Sequence, residues 1–224
     1  MISSAVLQVI AIACMIIDHI GYYLCNNFWL FRVIGRIAMP LFVFGLVQGF
    51  IHTSSKKKYF LRIAFTAIIT EIALFCLSWN CGVAGTYSHN ILFNYILGFL
   101  ALLLLSISPY FILVVPLIAC FGQLLHLDYK WGIVALVSLF FLITKYLKHN
   151  SFVYSSSLLA SIMVVSTLLA MQSNWELQLF AILSFIPITF YSGKKGKRLP
   201  KYLSYAVYPG QYLLILIVRL LLFH

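Results

Sequence analysis

The sequence has 224 residues, of which 63% are hydrophobic and only 8% are charged, and its formal net charge is +11. A water-soluble domain contains about 45–50% apolar and about 25% charged residues, so this composition excludes a soluble enzyme and any separate soluble domain. We therefore predict that residues 1–224 form a single integral membrane domain, with the lipid bilayer as its main surroundings.

The apolar runs predict an all-α, polytopic transmembrane helix bundle, because a membrane-crossing helix needs about 20 mostly apolar residues. They divide into about nine spans, within a range of about eight to ten. The first run continues past Met15 without the small-residue cleavage site of a signal peptide, so we expect it to be retained. In chain order the predicted spans are Ala5 to Cys25, Val33 to Ile51, Phe60 to Trp79, Asn90 to Ser106, Phe111 to Leu127, Gly132 to Tyr146, Phe152 to Met171, Trp175 to Tyr191, and Tyr202 to Leu222.

The basic residues cluster in alternate connections between these spans. The even-numbered connections hold most of them, namely Lys56 to Lys58, Lys145 and Lys148, and Lys194 to Lys201. Cytoplasmic loops of membrane proteins are enriched in lysine and arginine, so the pattern predicts a cytoplasmic N-terminus. This topology explains the positive net charge better than nucleic acid does, and we expect no nucleic-acid partner. The five cysteines show no metal-ligand spacing, so we expect no metal.

The few polar residues inside the spans are the main functional signal, since an ionisable group in hydrocarbon costs several kcal/mol and usually marks a site or a pathway. On the predicted topology these residues share one depth, toward the outer leaflet. Alternatively, they form ion pairs that only hold the bundle together, for example Arg36 with Asp18 or Glu71. The residues are Asp18 and His19 in the first span, Arg32 and Arg36 at the start of the second, Glu71 in the third, His89 and Asn90 at the fourth, and His126 and Asp128 at the end of the fifth.

Such a set could run acyl transfer, because a histidine oriented by a carboxylate can act as a general base and guanidinium groups can hold a phosphate-rich donor or an oxyanion. Since the sequence has no GxSxG, HExxH or Walker motif, direct transfer by base catalysis fits better than a covalent serine route. We predict His19 as the general base. Asp18, Glu71 or Asp128 would be its orienting partner, although neighbouring residues on a helix point about 100° apart, which leaves Asp18 the weaker choice. Arg36, with Arg32, would bind donor phosphate or stabilise an oxyanion. The remaining polar residues, which would contact the acceptor or line the pocket, are His89, Asn90, His126 and Gln211.

Several short motifs in a fixed order identify a family resemblance. They are Asp18-His19-Ile20-Gly21, the run from Gly35 to Phe44, Thr70-Glu71-Ile72, Leu127-Asp128-Tyr129, the run from Tyr191 to Gly196, and Tyr208-Pro209. Together they resemble the TraX family, bacterial membrane proteins linked to acetylation of the pilin N-terminus. The Arg32 to Arg36 spacing also resembles the arginine motif of type 3 membrane acyltransferases. The family pattern usually has histidine where this chain has Gln211, which leaves open whether activity or acceptor is altered here.

The resemblance implies a membrane-embedded acyltransferase in the bacterial inner membrane. It would move an acetyl group from acetyl-CoA to an amine or hydroxyl of a peptide, a pilin or a glycan at the extracytoplasmic side. The basic loops at Lys56 to Lys58 and Lys194 to Arg198 would attract the nucleotide end of the donor, or they serve topology alone. Two other functions stay open at this point, a small-solute transporter and a membrane protein without catalysis.

Overall fold

The computed structural model describes residues 1–80, 89–173, 176–197 and 200–223, with side chains left out at 173, 201–203 and 223. Trp175 and Arg198 therefore lie outside the described residues, as does the side chain of Tyr202. Throughout the described ranges the regular secondary structure is helical, which confirms the predicted fold class. The α-helices are α1 Ser4–Tyr23, α2 Trp29–Arg36, α3 Ala38–His52, α4 Lys56–Asn80, α5 Ile91–Ile107, α6 Val115–Leu124, α7 Gly132–Tyr146, α8 Ser151–Ser173, α9 Phe185–Thr189 and α10 Lys201–Phe223, and two 3₁₀ helices cover Pro109–Leu113 and Glu176–Ser184.

The second predicted span is two helices, because α2 ends at Arg36 and α3 begins at Ala38. Pro40 lies in the first turn of α3. A proline ring clashes with the carbonyl four residues earlier and supplies no N–H to it, and here that carbonyl belongs to Arg36. The chain therefore turns at Ile37, whose N–H bonds to Ile34 O at 3.2 Å. This break sets the direction in which α2 presents its arginines.

The fifth and eighth predicted spans also differ from continuous α-helix. The fifth begins as the first 3₁₀ helix and ends at Leu124, three residues before the predicted end at Leu127. The turn that follows contains two residues with left-handed backbone, His126 at φ 49° and Lys130 at φ 48°. The eighth starts as the second 3₁₀ helix, which is long for a helix type that is usually short. Both regions lie beside the candidate site.

The outside of the bundle is apolar, as expected for a surface in contact with lipid. Five helical segments are long and apolar enough to cross a membrane, namely Ser4–Tyr23, Trp29–His52, Lys56–Asn80, Ser151–Gln172 and Ser204–Leu222. One face of α4 exposes Leu61, Phe65, Ile68, Ile72, Phe75 and Trp79. A soluble protein rarely exposes a continuous apolar patch of this kind. The chain is therefore a helical membrane protein, while the number of spans and their orientation stay predictions.

Helix α3 lies at the centre of the bundle, in contact with α1, α2, α5, α7 and the second 3₁₀ helix. Its aromatic residues pack edge to face with those of its neighbours, Phe44 with Phe140 and Phe50 with Phe99, at centroid distances of 6.1 and 5.1 Å. Because its side chains are buried on nearly every face, α3 fixes the positions of the helices around it. Helix α10 packs against α4 and α1 on the outside.

The basic residues gather at one end of the bundle. The N-terminal strand-like residues bond to the loop after α9, since Ser4 N–H donates to Lys194 O at 2.9 Å and Ser192 N–H donates to Ile2 O at 2.9 Å. The start of α1 therefore lies at the same end as this lysine-rich loop, as do Lys56 at the start of α4 and Lys145 at the end of α7. We call this the basic end.

Candidate functional site

A polar cavity of about 390 Å³ opens at the opposite end of the bundle, where α1 ends and α3 and α5 begin. Its walls carry most of the polar side chains that the sequence singled out. We call it the polar cavity. The titratable and amide side chains that line it are Asp18, His19, Arg32, Arg36, His89, Asn90 and Asp128, together with Tyr22, Tyr23, Asn27, Tyr129, Tyr208 and Tyr212.

Asp18 forms a buried ion pair with both arginines of α2. Arg36 Nη2 donates to Asp18 Oδ1 and Oδ2 at 2.9 Å each, and Arg32 Nη1 lies 2.8 Å from Asp18 Oδ2. The side chains of Arg32 and Arg36 are only 9% and 2% exposed. Three buried charges need such close pairing, because an unpaired charge in a low-dielectric interior is strongly destabilising. The pairing of Arg36 with Asp18, one of the two partners considered from the sequence, is the one observed.

All three guanidinium nitrogens of Arg36 make hydrogen bonds. Besides the two bonds from Nη2 to Asp18, Nη1 donates to Tyr129 Oη at 3.0 Å and to Gln178 Oε1 at 3.2 Å, and Nε donates to Arg32 O at 3.1 Å. Arg36 is thus bonded to four residues of the protein. It therefore holds other groups in place, and the expected direct contact with the donor would compete with these bonds.

Tyr129 presents a protonated hydroxyl to the cavity. Burial raises its pKa to about 12, against the opposing effect of Arg36, so the phenol is neutral at physiological pH. Its oxygen accepts the hydrogen bond from Arg36 Nη1, so its own O–H proton can be donated to a second partner. Asp128 also lines the cavity. Desolvation by the protein around it raises the pKa of its carboxyl group, and the charge of Arg36 opposes this shift.

The close approach of α1 and α2 depends on Gly35. A Cβ atom added at Gly35 would overlap the Asp18 carboxyl group. We expect Gly35→Ala to displace this carboxylate and to lower the midpoint of thermal unfolding of the purified protein by several degrees, since overpacking typically costs about 1–3 kcal/mol. Gly45→Ala on α3 is the matched control, because nothing lies within 4 Å of the Cβ added there. Equal thermal midpoints for both variants would contradict the proposed overlap.

His19 contacts α10. Its Nε2 lies 3.2 Å from the Tyr212 hydroxyl, and the two rings are 4.8 Å apart between centroids. The Gln211 side chain adjoins the imidazole, although neither His19 Nδ1 nor the buried Gln211 amide has a hydrogen bond of standard distance and angle. No carboxylate bonds to the imidazole among the described residues. Tyr212 and Gln211, and not the expected carboxylates of Asp18, Glu71 or Asp128, are the side chains that adjoin the imidazole. The carboxylates of Asp18 and Glu71 are held by other partners.

Glu71 belongs to a second polar cluster at the edge of the cavity. Its carboxylate bonds to the ring of His89, and it accepts from the Asn90 backbone N–H at 3.1 Å and from the Asn90 side chain at 2.6 Å. Asn90 also caps α5, since its Oδ1 accepts from Leu92 N–H at 3.0 Å. His89 and Asn90 line the cavity, and Glu71 itself does not. Glu71 thus holds the start of α5 against α4.

Besides Glu71, two of the predicted site residues do not line the cavity, His126 and Gln211. His126 lies in the exposed turn after α6. Gln211 is buried beside His19. Over the described part of the chain, no three His, Cys, Asp or Glu side chains are grouped so as to hold a metal ion.

Three residues of the site were given no site role from the sequence, namely Tyr129, Gln178 and Tyr212. The two tyrosines directly follow residues that were predicted to belong to the site, Asp128 and Gln211. Gln178 is only 2% exposed, and its signal in the sequence is that of a polar residue within an apolar segment.

Comparison with known proteins identifies the family of this chain. The model of the family described as TraX protein matches residues 3–219. The chain belongs to the TraX family. A curated relative from Dichelobacter nodosus, described as "Probable fimbrial assembly protein FimC, serogroup H1", is 28% identical over 232 residues, covering 91% of this chain and 90% of the relative. An uncharacterised protein of Rickettsia prowazekii is 53% identical over 38 residues, which is 17% of this chain and 15% of that protein. No solved structure gives a significant match.

As a TraX family member, the chain carries the family resemblance over nearly its whole length. The motif residues Asp18, His19 and Arg36 all line the polar cavity, and Gln211 adjoins His19. The position where the family pattern usually has histidine is thus beside the predicted base.

Proposed function

We propose that this TraX family member is a membrane-embedded acyltransferase that moves an acetyl group from acetyl-CoA to an amine or hydroxyl acceptor. One observation carries the proposal. An imidazole, two tyrosine hydroxyls and a buried arginine–aspartate network meet in one cavity of an otherwise apolar bundle. Polar and ionisable groups inside a membrane protein are retained mainly for function. The name of the Dichelobacter nodosus relative favours a fimbrial subunit as the acceptor, and its N-terminal amine is the group we propose is modified.

His19 is the proposed general base. With Nδ1–H directed at the Gln211 Oε1 atom after a small rotation of the amide, the lone pair of Nε2 faces the Tyr212 hydroxyl and the cavity. Nε2 removes the acceptor proton, directly or through Tyr212, as the acceptor nitrogen attacks the thioester carbonyl carbon. The C–S bond then breaks, and the coenzyme A thiolate leaves and takes the proton from the imidazolium. The N–H proton of the acceptor thus ends on the thiol, which balances the transfer.

Tyr129 is the proposed donor to the tetrahedral oxyanion. Its hydroxyl keeps its proton, because its pKa is about 12, and the bond that it accepts from Arg36 makes that proton a stronger donor. Preorganised donors of this kind are a main source of rate acceleration in acyl transfer. Arg36 and Asp18 act in this scheme as positioning residues. Arg36 stabilises the oxyanion, as expected from the sequence, only indirectly, through its hydrogen bond to Tyr129.

The decisive experiment measures acetyl transfer by the purified full-length protein in proteoliposomes. Acetyl-labelled acetyl-CoA is added with a peptide that has the free N-terminus of a fimbrial subunit, and labelled peptide is detected by mass spectrometry. The matched control is a peptide of the same sequence with a blocked N-terminus. We expect labelling of the free amine alone. No labelling of this peptide or of a hydroxyl-bearing glycan acceptor would contradict the proposal, and accumulation of unmodified solute inside the vesicles would favour a transporter.

A further inference from the structure

A second cavity, of about 350 Å³, opens at the basic end of the bundle. Its lining comes from the end of α3, the start of α4, the end of α5 and the end of α7. Helix α3 connects the two cavities, with Phe42 the last of its residues at the polar cavity and Phe50 the first at the second one. Eight helical residues rise about 12 Å, and the two cavities share no lining residue, so they are separate sites. The polar side chains of the second are His52, Lys56, Ser106, Thr144, Lys145 and Lys148.

Two of the three lysines at the second cavity contact aromatic rings. Lys56 Nζ lies 4.4 Å from the centroid of Phe50 and donates to Ser106 Oγ at 3.4 Å. Lys145 Nζ lies 5.7 Å from the centroid of Phe141. Contacts with ring faces favour the charged ammonium form. Each ammonium has three donors, so these contacts leave further N–H groups for a ligand.

None of the described aspartates and glutamates lines this cavity to neutralise the lysines. The four acidic residues of the chain lie at the other end: Asp18 and Asp128 line the polar cavity, Glu71 bonds to His89 and Asn90, and Glu176 starts the 3₁₀ helix whose Gln178 bonds to Arg36. The C-terminal ends of α3, α5 and α7 carry about half a negative charge each, and the start of α4 about half a positive charge. This net charge of about −1 is smaller than the three lysine charges, so the cavity attracts anions.

We propose that this basic cavity binds the phosphate groups of a phosphate ester. Ammonium groups on flexible stems are common phosphate ligands, and the hydroxyl of Thr144 at the cavity wall adds a further donor. The aromatic and aliphatic walls formed by Phe50, Ile51 and Phe141 suit an organic group attached to the phosphate. Two sources share this chemistry, a soluble coenzyme A nucleotide and the headgroup of an anionic phospholipid. The proposal does not depend on acetyl transfer in the polar cavity, because a lipid phosphate would fill the site in a protein without catalysis.

The test compares the full-length protein with a variant of the cavity, K56Q/K145Q/K148Q, in nanodiscs. In one arm the nanodiscs contain only phosphatidylcholine, and calorimetry measures the binding of coenzyme A. In the other arm they contain phosphatidylglycerol as well, and native mass spectrometry measures how many phosphatidylglycerol molecules the protein retains. The matched control is K57Q/K58Q/K194Q, which removes the same number of charges from exposed lysines of the basic end that do not line the cavity. The sequence offered two interpretations of these loop lysines, attraction of the donor nucleotide or topology alone, and the present proposal takes the second for these three.

We expect the cavity variant to weaken binding at least tenfold in one arm, with the control within twofold of the parent. The arm that responds identifies the source of the phosphate. A K56R/K145R/K148R variant keeps the charges and should restore binding to within threefold, which separates a loss of binding from a loss of folding. The proposal is overturned if the cavity variant binds both ligands as the parent does, or if the control loses as much binding as the cavity variant. Coenzyme A binding without any acetyl transfer would leave this site standing and reject only the proposed catalysis.

Discussion

Replacing His19 with glutamine is expected to lower the rate of acetyl transfer at least a hundredfold while the protein still folds. A positioned general base contributes about 10²–10⁴-fold to a rate, and a glutamine amide cannot remove a proton. The amide can still bond to the Tyr212 hydroxyl, which His19 contacts at 3.2 Å, so the packing of α1 on α10 should survive. The measurement is the initial rate with labelled acetyl-CoA and a free-amine peptide in proteoliposomes.

His149→Gln is the control for this variant, since His149 is exposed in the turn between α7 and α8 and does not line either cavity. Its transfer rate should match that of the parent. Thermal unfolding midpoints should agree across all three proteins, so that a lost rate reports chemistry and not unfolding. Unchanged transfer by the His19→Gln protein would remove His19 from the proposed role, whatever the result of the control.

Asp18→Asn is expected to destabilise the protein by about 3–5 kcal/mol, the usual cost of removing one partner from a buried ion pair. Asparagine has nearly the same shape, but it leaves the Arg32 and Arg36 side chains, 9% and 2% exposed, without a counter-charge. The loss should appear in reversible unfolding from mixed micelles and in a lower yield of monodisperse protein. Acetyl transfer should fall with it, because Arg36 also holds Tyr129.

Glu176→Gln removes the same charge from an exposed position and should change the free energy of unfolding by less than about 0.5 kcal/mol. The comparison distinguishes two roles for Asp18. A positioning role predicts that stability and activity fall together. If Asp18→Asn unfolded like the parent and lost only activity, Asp18 would instead contact the reacting groups, and the ion-pair network would not be the element that holds the site.

The two ends of the bundle have different electrostatic character. The polar cavity holds both signs of charge, because Asp18 pairs with Arg32 and Arg36 and neutralises part of their positive charge. The basic cavity holds only positive charge from Lys56, Lys145 and Lys148. On the topology predicted from the loops, the basic end faces the cytoplasm. A phosphate ester and an extracytoplasmic acceptor would then reach the protein from opposite sides of the membrane.

Hydropathy alone determined most of the helical segments of this protein. The segment predicted from Gly132 to Tyr146 is α7 with the same ends, and α5 differs from its prediction by one residue at each end. A lipid-embedded backbone must satisfy its own hydrogen bonds, so a long apolar run has few alternatives to a helix. The break at Ile37 was missed, although its cause, Pro40, is local and visible in the sequence.

Only the tertiary structure decided which polar groups meet. The sequence identified Asp18, Arg36 and Glu71 as residues that need partners, but it left Arg36 two carboxylates to choose between. Because α1 packs on α2 at Gly35, Arg36 pairs with Asp18. Glu71 instead bonds to His89 and Asn90 at the start of α5. His19 contacts Tyr212, which is 193 residues away in the sequence. Apolar periodicity is a local property that decides helices, whereas a pocket depends on how those helices cross, which no short segment encodes.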